Sequence, residues 1–308
     1  MSTPAIPIPT AETVRRHRPA AKVDRSGTLV ELWLRAHTLL VYLFLFIPIV
    51  VVVVFSFNAT DRRVTDWDGL SLRWYAHVLG DRIIQGNLWN SIIVGTFTAI
   101  FATTFGTLGA LGLARTPKWV SIPFLALTFV SVIIPEIVIA LATLVFFATS
   151  FDIVEGITGE QLRLGIPTIV ASHVLFNISL VLLLVRARLS GMDRTHVEAS
   201  YDLYGTPWRT FWQITFPQLL PAVVAGFLLS FTFSFDDFVI TSFVSGPGSS
   251  TLPLYVFGQI KTGVTPATNA VAAMMLLITL AILFGGQLLT RRGGARGDSV
   301  VNIVAEQT

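Results

Sequence analysis

The sequence predicts an all-α membrane protein with six transmembrane helices and both termini on the cytoplasmic side. Three observations carry that prediction. Only 13% of the 308 residues are charged and 53% are hydrophobic, whereas a soluble domain needs roughly 25% charged residues to cover its surface. The apolar residues fall into six continuous runs, near 39–57, 88–113, 120–148, 167–185, 222–244 and 269–289. Lys and Arg concentrate in alternate connecting segments. A helix needs about 20 apolar residues to cross a hydrocarbon core of about 30 Å. Continuous rather than alternating runs point to helices instead of barrel strands.

Residues 1–38 are polar, with Pro4, Pro7, Pro9 and Pro19 and the basic cluster Arg15, Arg16, Arg18, Lys22 and Arg25. They lack the short apolar stretch and small-residue cleavage site of a signal peptide. The segment reads as a largely flexible cytoplasmic tail, with Leu29, Leu32 and Trp33 starting a short interfacial helix at its end. Residues 39–289 form the six-span domain and 290–308 a cytoplasmic C-terminal tail. In the second span Gly95, Ala99, Ala102, Gly106 and Ala110 recur every three or four residues, a stripe that admits a neighbouring helix closely. With both termini inside, fifteen of the 21 basic residues are cytoplasmic, and the short internal loops alone keep the majority there, as the positive-inside rule requires. The basic residues cluster between apolar runs rather than on a polar face, which suits topology and not nucleic-acid binding. With no cysteine, disulfides, thiolate metal sites and cysteine nucleophiles are excluded.

The longest cytoplasmic connection runs from Arg186 to Pro221. It carries Glu198-Ala199-Ser200, Asp202-Leu203, Gly205-Thr206-Pro207-Trp208 and Ile214-Thr215-Phe216-Pro217. This pattern predicts two short helices separated by a Gly-Thr-Pro turn, with Pro207 opening the second where its missing N–H costs nothing. Such a small-residue hairpin at a membrane surface suits docking into a groove on a soluble partner.

Here the chain resembles the permease subunits of ATP-binding-cassette (ABC) importers. Their coupling loop has the consensus Glu-Ala-Ala, three residues, Gly, nine residues, Ile, one residue, Leu-Pro. Counted from Glu198, the Gly falls on Tyr204, the Ile on Ile214 and the final pair on Phe216-Pro217; Ser200 replaces Ala, and Gly205 stands one place late. The resemblance implies that Glu198, Ala199, Ser200, Asp202, Gly205, Ile214 and Pro217 seat in an ATPase subunit and receive its motion, Gly205 supplying the flexible position that Tyr204 does not. Trp67–Tyr75, Pro135-Glu136-Ile137-Val138, Ser234–Val239, Ser245-Gly246-Pro247-Gly248 and Leu252-Pro253-Leu254 are similar to segments of the C-type spermidine/putrescine permeases. The resemblance thus implies a type I importer permease of the bacterial inner membrane, with polyamines as substrates. It further implies as partners a second, homologous permease, an ATPase dimer and an external binding protein, besides membrane lipid. The chain has no Gly-x4-Gly-Lys-Ser/Thr phosphate loop, so it is expected to need no cofactor, any ATP being bound by a partner chain. A permease for another organic solute or an anion is the alternative. An ion-gradient-driven transporter would leave the long internal loop unexplained.

Glu136, Asp236 and Asp237 fall inside predicted spans, where an ionised Asp costs about 2.5–3.5 kcal/mol and calls for a partner or a wet cavity. Counted along unbroken helices at about 1.5 Å per residue, Glu136 lies about 24 Å and Asp236 about 21 Å from the cytoplasmic ends. Adjacent aspartates point about 100° apart, so one at most faces a pathway squarely. Either the acids line a cavity for a cationic substrate, or they cap helix segments broken at Pro135 or pair with the sibling subunit. His173 and Asn177, four apart, share a helix face and read as interhelical hydrogen-bond partners ahead of ligands. No metal-ligand spacing and no nucleophile–base pair is legible.

Overall fold

The computed structural model describes the backbone of residues 25–61 and 66–305 and the side chains of 30–61 and 66–288. The predicted tail residues 1–24, with most of the basic cluster, lie outside the described residues.

The helices, in chain order, are α1 (Arg25–Phe55), α2 (Arg73–Gly80), α3 (Arg82–Arg115), α4 (Lys118–Ile133), α5 (Glu136–Thr158), α6 (Ile166–Ser190), α7 (Thr195–Asp202), α8 (Pro207–Thr210), α9 (Phe216–Asp236), α10 (Val239–Val244), α11 (Leu252–Thr262) and α12 (Pro266–Ala305). Among the described residues the only β-type pairing is one isolated antiparallel bridge between Asn58 and Leu70. Among the described residues six helices are long and apolar enough to cross a membrane: Val30–Phe55, Arg82–Arg115, Glu136–Thr158, Ile166–Ser190, Pro207–Asp236 and Pro266–Leu288.

Four boundaries differ from the sequence expectation, each for a local reason. Residues 25–38 are not a tail ending in a separate short helix; they are the first turns of α1, which meets no proline until Pro48. At the other end α12 runs through most of the predicted C-terminal tail to Ala305. The predicted third span, 120–148, is two helices. Pro135 biases Ile134 out of the helical region and cannot donate to the preceding turn, so Ile134 and Pro135 are extended (ψ 133° and 136°) and a new helix begins at Glu136. The predicted fifth span, 222–244, begins earlier and ends sooner, its helix stopping at Asp236. Asp237 then turns extended (φ −67°, ψ 132°) before the short α10.

The core is the contact of α3, α6 and α9. Lipid offers helices no hydrophobic reason to associate, so close van der Waals packing must do so, and small residues permit it. The predicted stripe on α3 is where this happens: Ala99, Ala102 and Ala110 are fully buried. Gly106 is the tightest point, because a Cβ there would stand 2.7 Å from Val181 Cβ and 3.0 Å from the Ile178 carbonyl. Ala102, Ala110 and Leu113 of α3 interdigitate with Val181, Leu182 and Val185 of α6 and Leu219 of α9. A second cluster joins Val94, Ile139, Ala140, Ile169 and Phe176 to Ile240 and Val244, holding α10 against α5 and α6.

Candidate functional site

Two constellations stand out, one at each end of α9. The first is the hairpin before it. α7 ends in a Schellman turn: the Gly205 amide donates to the Ser200 carbonyl at 2.8 Å and the Tyr204 amide to the Tyr201 carbonyl at 3.0 Å. That motif requires a left-handed residue at the position after the cap, most often glycine. Tyr204 occupies it with φ +58°. The consensus glycine therefore falls where the backbone needs it, and this chain puts a tyrosine there. Gly205 does a different job from the one the sequence suggested. It is absent from the positive-φ residues; instead a Cβ on it would meet Ser200 Oγ and lie 2.7 Å from the Ser200 carbonyl and 3.1 Å from Thr210 Oγ1. Ser200 and Thr210 hydroxyls bond each other at 2.9 Å, clamping α7 to α8.

The second half of the hairpin is not a short helix, as the sequence suggested, but the start of the fifth span. Thr206 caps it by accepting the Arg209 amide at 3.4 Å, and Pro207 takes the first helical position. Phe211–Thr215 form a widened turn in which the Phe216 amide reaches back five residues to Phe211. Pro217 explains the widening: it cannot donate to the Gln213 carbonyl, and its ring would crowd it. A groove of about 650 Å³ opens between the two arms, and five of the seven predicted coupling residues line it: Ala199, Ser200, Gly205, Ile214 and Pro217. Glu198 and Asp202 lie on exposed α7 positions one turn apart and outside that lining. At the foot of α7 the Thr195 hydroxyl and amide hold the Asp193 carboxyl below the usual carboxylate range.

The second constellation surrounds the break after Asp236. The two aspartates diverge, as their spacing required, but they sit at the end of the helix and not within it. Asp237 is nearly enclosed, its side chain 7% exposed. It accepts the Thr241 amide at 2.8 Å, the Thr241 hydroxyl at 2.9 Å and the Ile240 amide at 3.3 Å. This capping of α10 competes with continuation of α9, which is the usual effect of an Asp side chain on a helix. His173 Nε2 lies 3.1 Å from Asp237 Oδ2, and its Nδ1 lies 2.7 Å from Ser234 Oγ. A carboxylate only accepts, so Nε2 carries the proton, and in the neutral ring Nδ1 accepts from the serine. Glu136, half-buried at the start of α5, is within electrostatic reach of both Asp237 and His173. Among the described residues the Asn177 amide bonds the carbonyl of His173 on its own helix, at 2.9 Å, and no residue of another helix.

Asp236 faces elsewhere. It borders a crevice of about 420 Å³ with Phe238, Phe257, Met275 and Thr279. The Thr279 hydroxyl approaches its carboxyl at 3.4 Å, and the Phe238 and Phe257 rings lie 3.9 Å apart between centroids. The depth counted for Glu136 does not apply, since its path crosses the break at Ile134 and Pro135; the path counted for Asp236 stays within α9, which is continuous from Phe216 to Asp236. Thr241, four residues after Asp237, was available to the sequence as a capping partner; Thr279, forty-three residues from Asp236, left no such signal.

Six membrane-length helices with a helical hairpin leading into the fifth define a multi-span permease. The chain belongs to the family of binding-protein-dependent transport system inner membrane components, whose profile matches residues 102–293. It is therefore a multi-pass inner-membrane transport subunit and not an enzyme; in this family ATP hydrolysis typically belongs to a separate chain. It is 36% identical over 245 residues to the putrescine transport system permease protein PotI of Escherichia coli K12, covering 79% of this chain and 85% of that one. It is 38% identical over 258 residues to the spermidine/putrescine permease PotC of Haemophilus influenzae, covering 83% and 96%. Among solved structures, a bacterial ABC transporter that imports alginate superposes with a TM-score of 0.72 at 13% identity, over 88% of this chain and 97% of that one. The inward-facing methionine transporter MetNI gives 0.54 at 15% identity, over 69% and 99%. At such identities these two speak for the fold alone.

Proposed function

We propose that this chain forms half of the translocation pathway of an ATP-driven polyamine importer, with putrescine and spermidine as substrates. It pairs with a second, similar permease, two ATPase subunits and an external binding protein. The chain itself binds no nucleotide. Closure of the ATPase dimer draws the two coupling hairpins together, and because α8 continues into α9, that movement is delivered directly to the helix that ends at Asp236.

The observation that carries the reading is Asp236, an acid at the end of a membrane span that faces an open crevice with aromatic walls. It stands in a chain whose relatives over about four-fifths of its length are named as polyamine permeases. An amine 4 Å from a carboxylate gains about 4 kcal/mol at an effective dielectric of 20. Desolvation leaves a fraction of this, so neutralising Asp236 is expected to cost about tenfold in uptake, or about 1.4 kcal/mol. Glu136 and Asp237 act from the other side of the break, Asp237 chiefly by holding α10. The test is uptake per assembled complex in proteoliposomes of Asp236→Asn, Asp237→Asn and Glu136→Gln, with labelled putrescine, spermidine and an anionic control. Asp236→Asn should lose transport with normal assembly, and Asp237→Asn should lose assembled complex. Unchanged polyamine uptake in all three variants, or preference for the anion, would refute the cationic substrate.

A further inference from the structure

The tip of the coupling hairpin carries a feature that its fold does not use. Tyr204 holds a left-handed backbone, φ +58°, and is the one non-glycine residue among those described to do so. A side chain there costs free energy that glycine would not. The turn's hydrogen bonds hold that backbone, but the side chain gains no packing among the described residues, Tyr204 being 97% exposed. Its neighbour Leu203 is 82% exposed and Trp208, across the turn, 72%. A tyrosine raised on a rigid turn loses little conformational freedom on binding and offers both a large apolar face and a hydroxyl, which is why tyrosine anchors so many interfaces. The Schellman bonds and the Ser200–Thr210 clamp fix the backbone beneath it. The turn is also continuous with the groove between the arms, because Leu203 and Gly205 both line it.

We propose that Tyr204, with Leu203 beside it, is the principal anchor of this permease in its ATPase subunit, its ring entering an apolar cleft. The proposal rests on the reading of the hairpin as the coupling element. It assigns the energy of attachment to the residue that replaces the consensus glycine, and it makes the strained backbone the means by which the ring is directed outward.

The opposing effects of one substitution test it. Tyr204→Gly relaxes the turn and removes the ring, so the hairpin improves while the anchor disappears. The permease pair is reconstituted in lipid nanodiscs and titrated with its separately purified ATPase subunit. Tyr204→Gly is expected to weaken binding at least tenfold, while Tyr204→Phe, which keeps the ring, stays within about threefold. Tyr204→Gly binding as tightly as the unaltered chain, or tighter, overturns the proposal. Gly205→Val, which drives a side chain into Ser200, separates the two claims. If Gly205→Val also binds normally, the hairpin is not the coupling element at all; if only Gly205→Val loses binding, the hairpin couples and Tyr204 is not its anchor. A loss in Tyr204→Gly that appears in nanodiscs and vanishes in detergent assigns the ring to lipid headgroups and likewise overturns the proposal.

Discussion

Replacing His173 by Ala removes the imidazole that hydrogen-bonds Ser234 and Asp237, on either side of the break after α9, to α6. The imidazole is 2% exposed and its partner Asp237 7%, so water cannot take its place freely. Three contacts go, at 2.7 Å with Ser234, 3.1 Å with Asp237 and 3.2 Å with the Thr241 hydroxyl. An interhelical hydrogen bond in a membrane protein averages about 0.6 kcal/mol, but a bond to a charged group is worth about 1.5–3 kcal/mol. Outright loss of a buried ion-pair partner costs about 3–5 kcal/mol; the Ile240 and Thr241 donors stay with Asp237 and keep the effect below that. The expected destabilisation is about 2–3 kcal/mol. It is measured as the shift in unfolding free energy of the solubilised permease titrated with a denaturing detergent. His173→Gln, which can still donate one bond, should recover about half. The same variants should lose uptake per assembled complex, since α10 packs on the helix that Glu136 begins. A destabilisation near 0.6 kcal/mol, equal in both variants, would mean an ordinary interhelical bond and would refute the argument that Asp237 depends on this partner.

Two further outcomes bear on the bundle itself. Gly106→Ala forces a methyl group against Val181 Cβ, 2.7 Å away, and should destabilise by about 1–3 kcal/mol; Gly112→Ala, with nothing within 4 Å of the new atom, should be neutral or stabilise by up to about 1 kcal/mol. Because the chain has no native cysteine, single cysteines at Ser200 and Ser250 can be probed with an impermeant maleimide, the first labelling only from the cytoplasm and the second only from outside; the reverse pattern would overturn the orientation argued from loop charge.

The sequence by itself determined that the chain is helical and crosses a membrane six times, because span length and charge content are set by bilayer thickness and the cost of burying charge, which act on each segment separately. It also placed the close helix contact on α3, since Gly and Ala at helical spacing mark a face whatever packs on it, and it marked the hairpin through Gly205, Pro207 and Pro217, whose backbone restrictions are local. It could not say where spans break. Pro135 ends one helix while Pro48, Pro123 and Pro221 sit inside theirs, and the residues alone do not distinguish these. Nor could it divide the labour of Asp236 and Asp237. Their 100° divergence was legible, but which one meets His173, sixty-four residues away, and which one meets Thr279 depends on how α6 and α12 pack around α9. The left-handed Tyr204 is the same kind of fact: a glycine consensus hinted at the conformation, yet only the Ser200 and Tyr201 carbonyls, fixed by the clamp to α8, compel a tyrosine to adopt it.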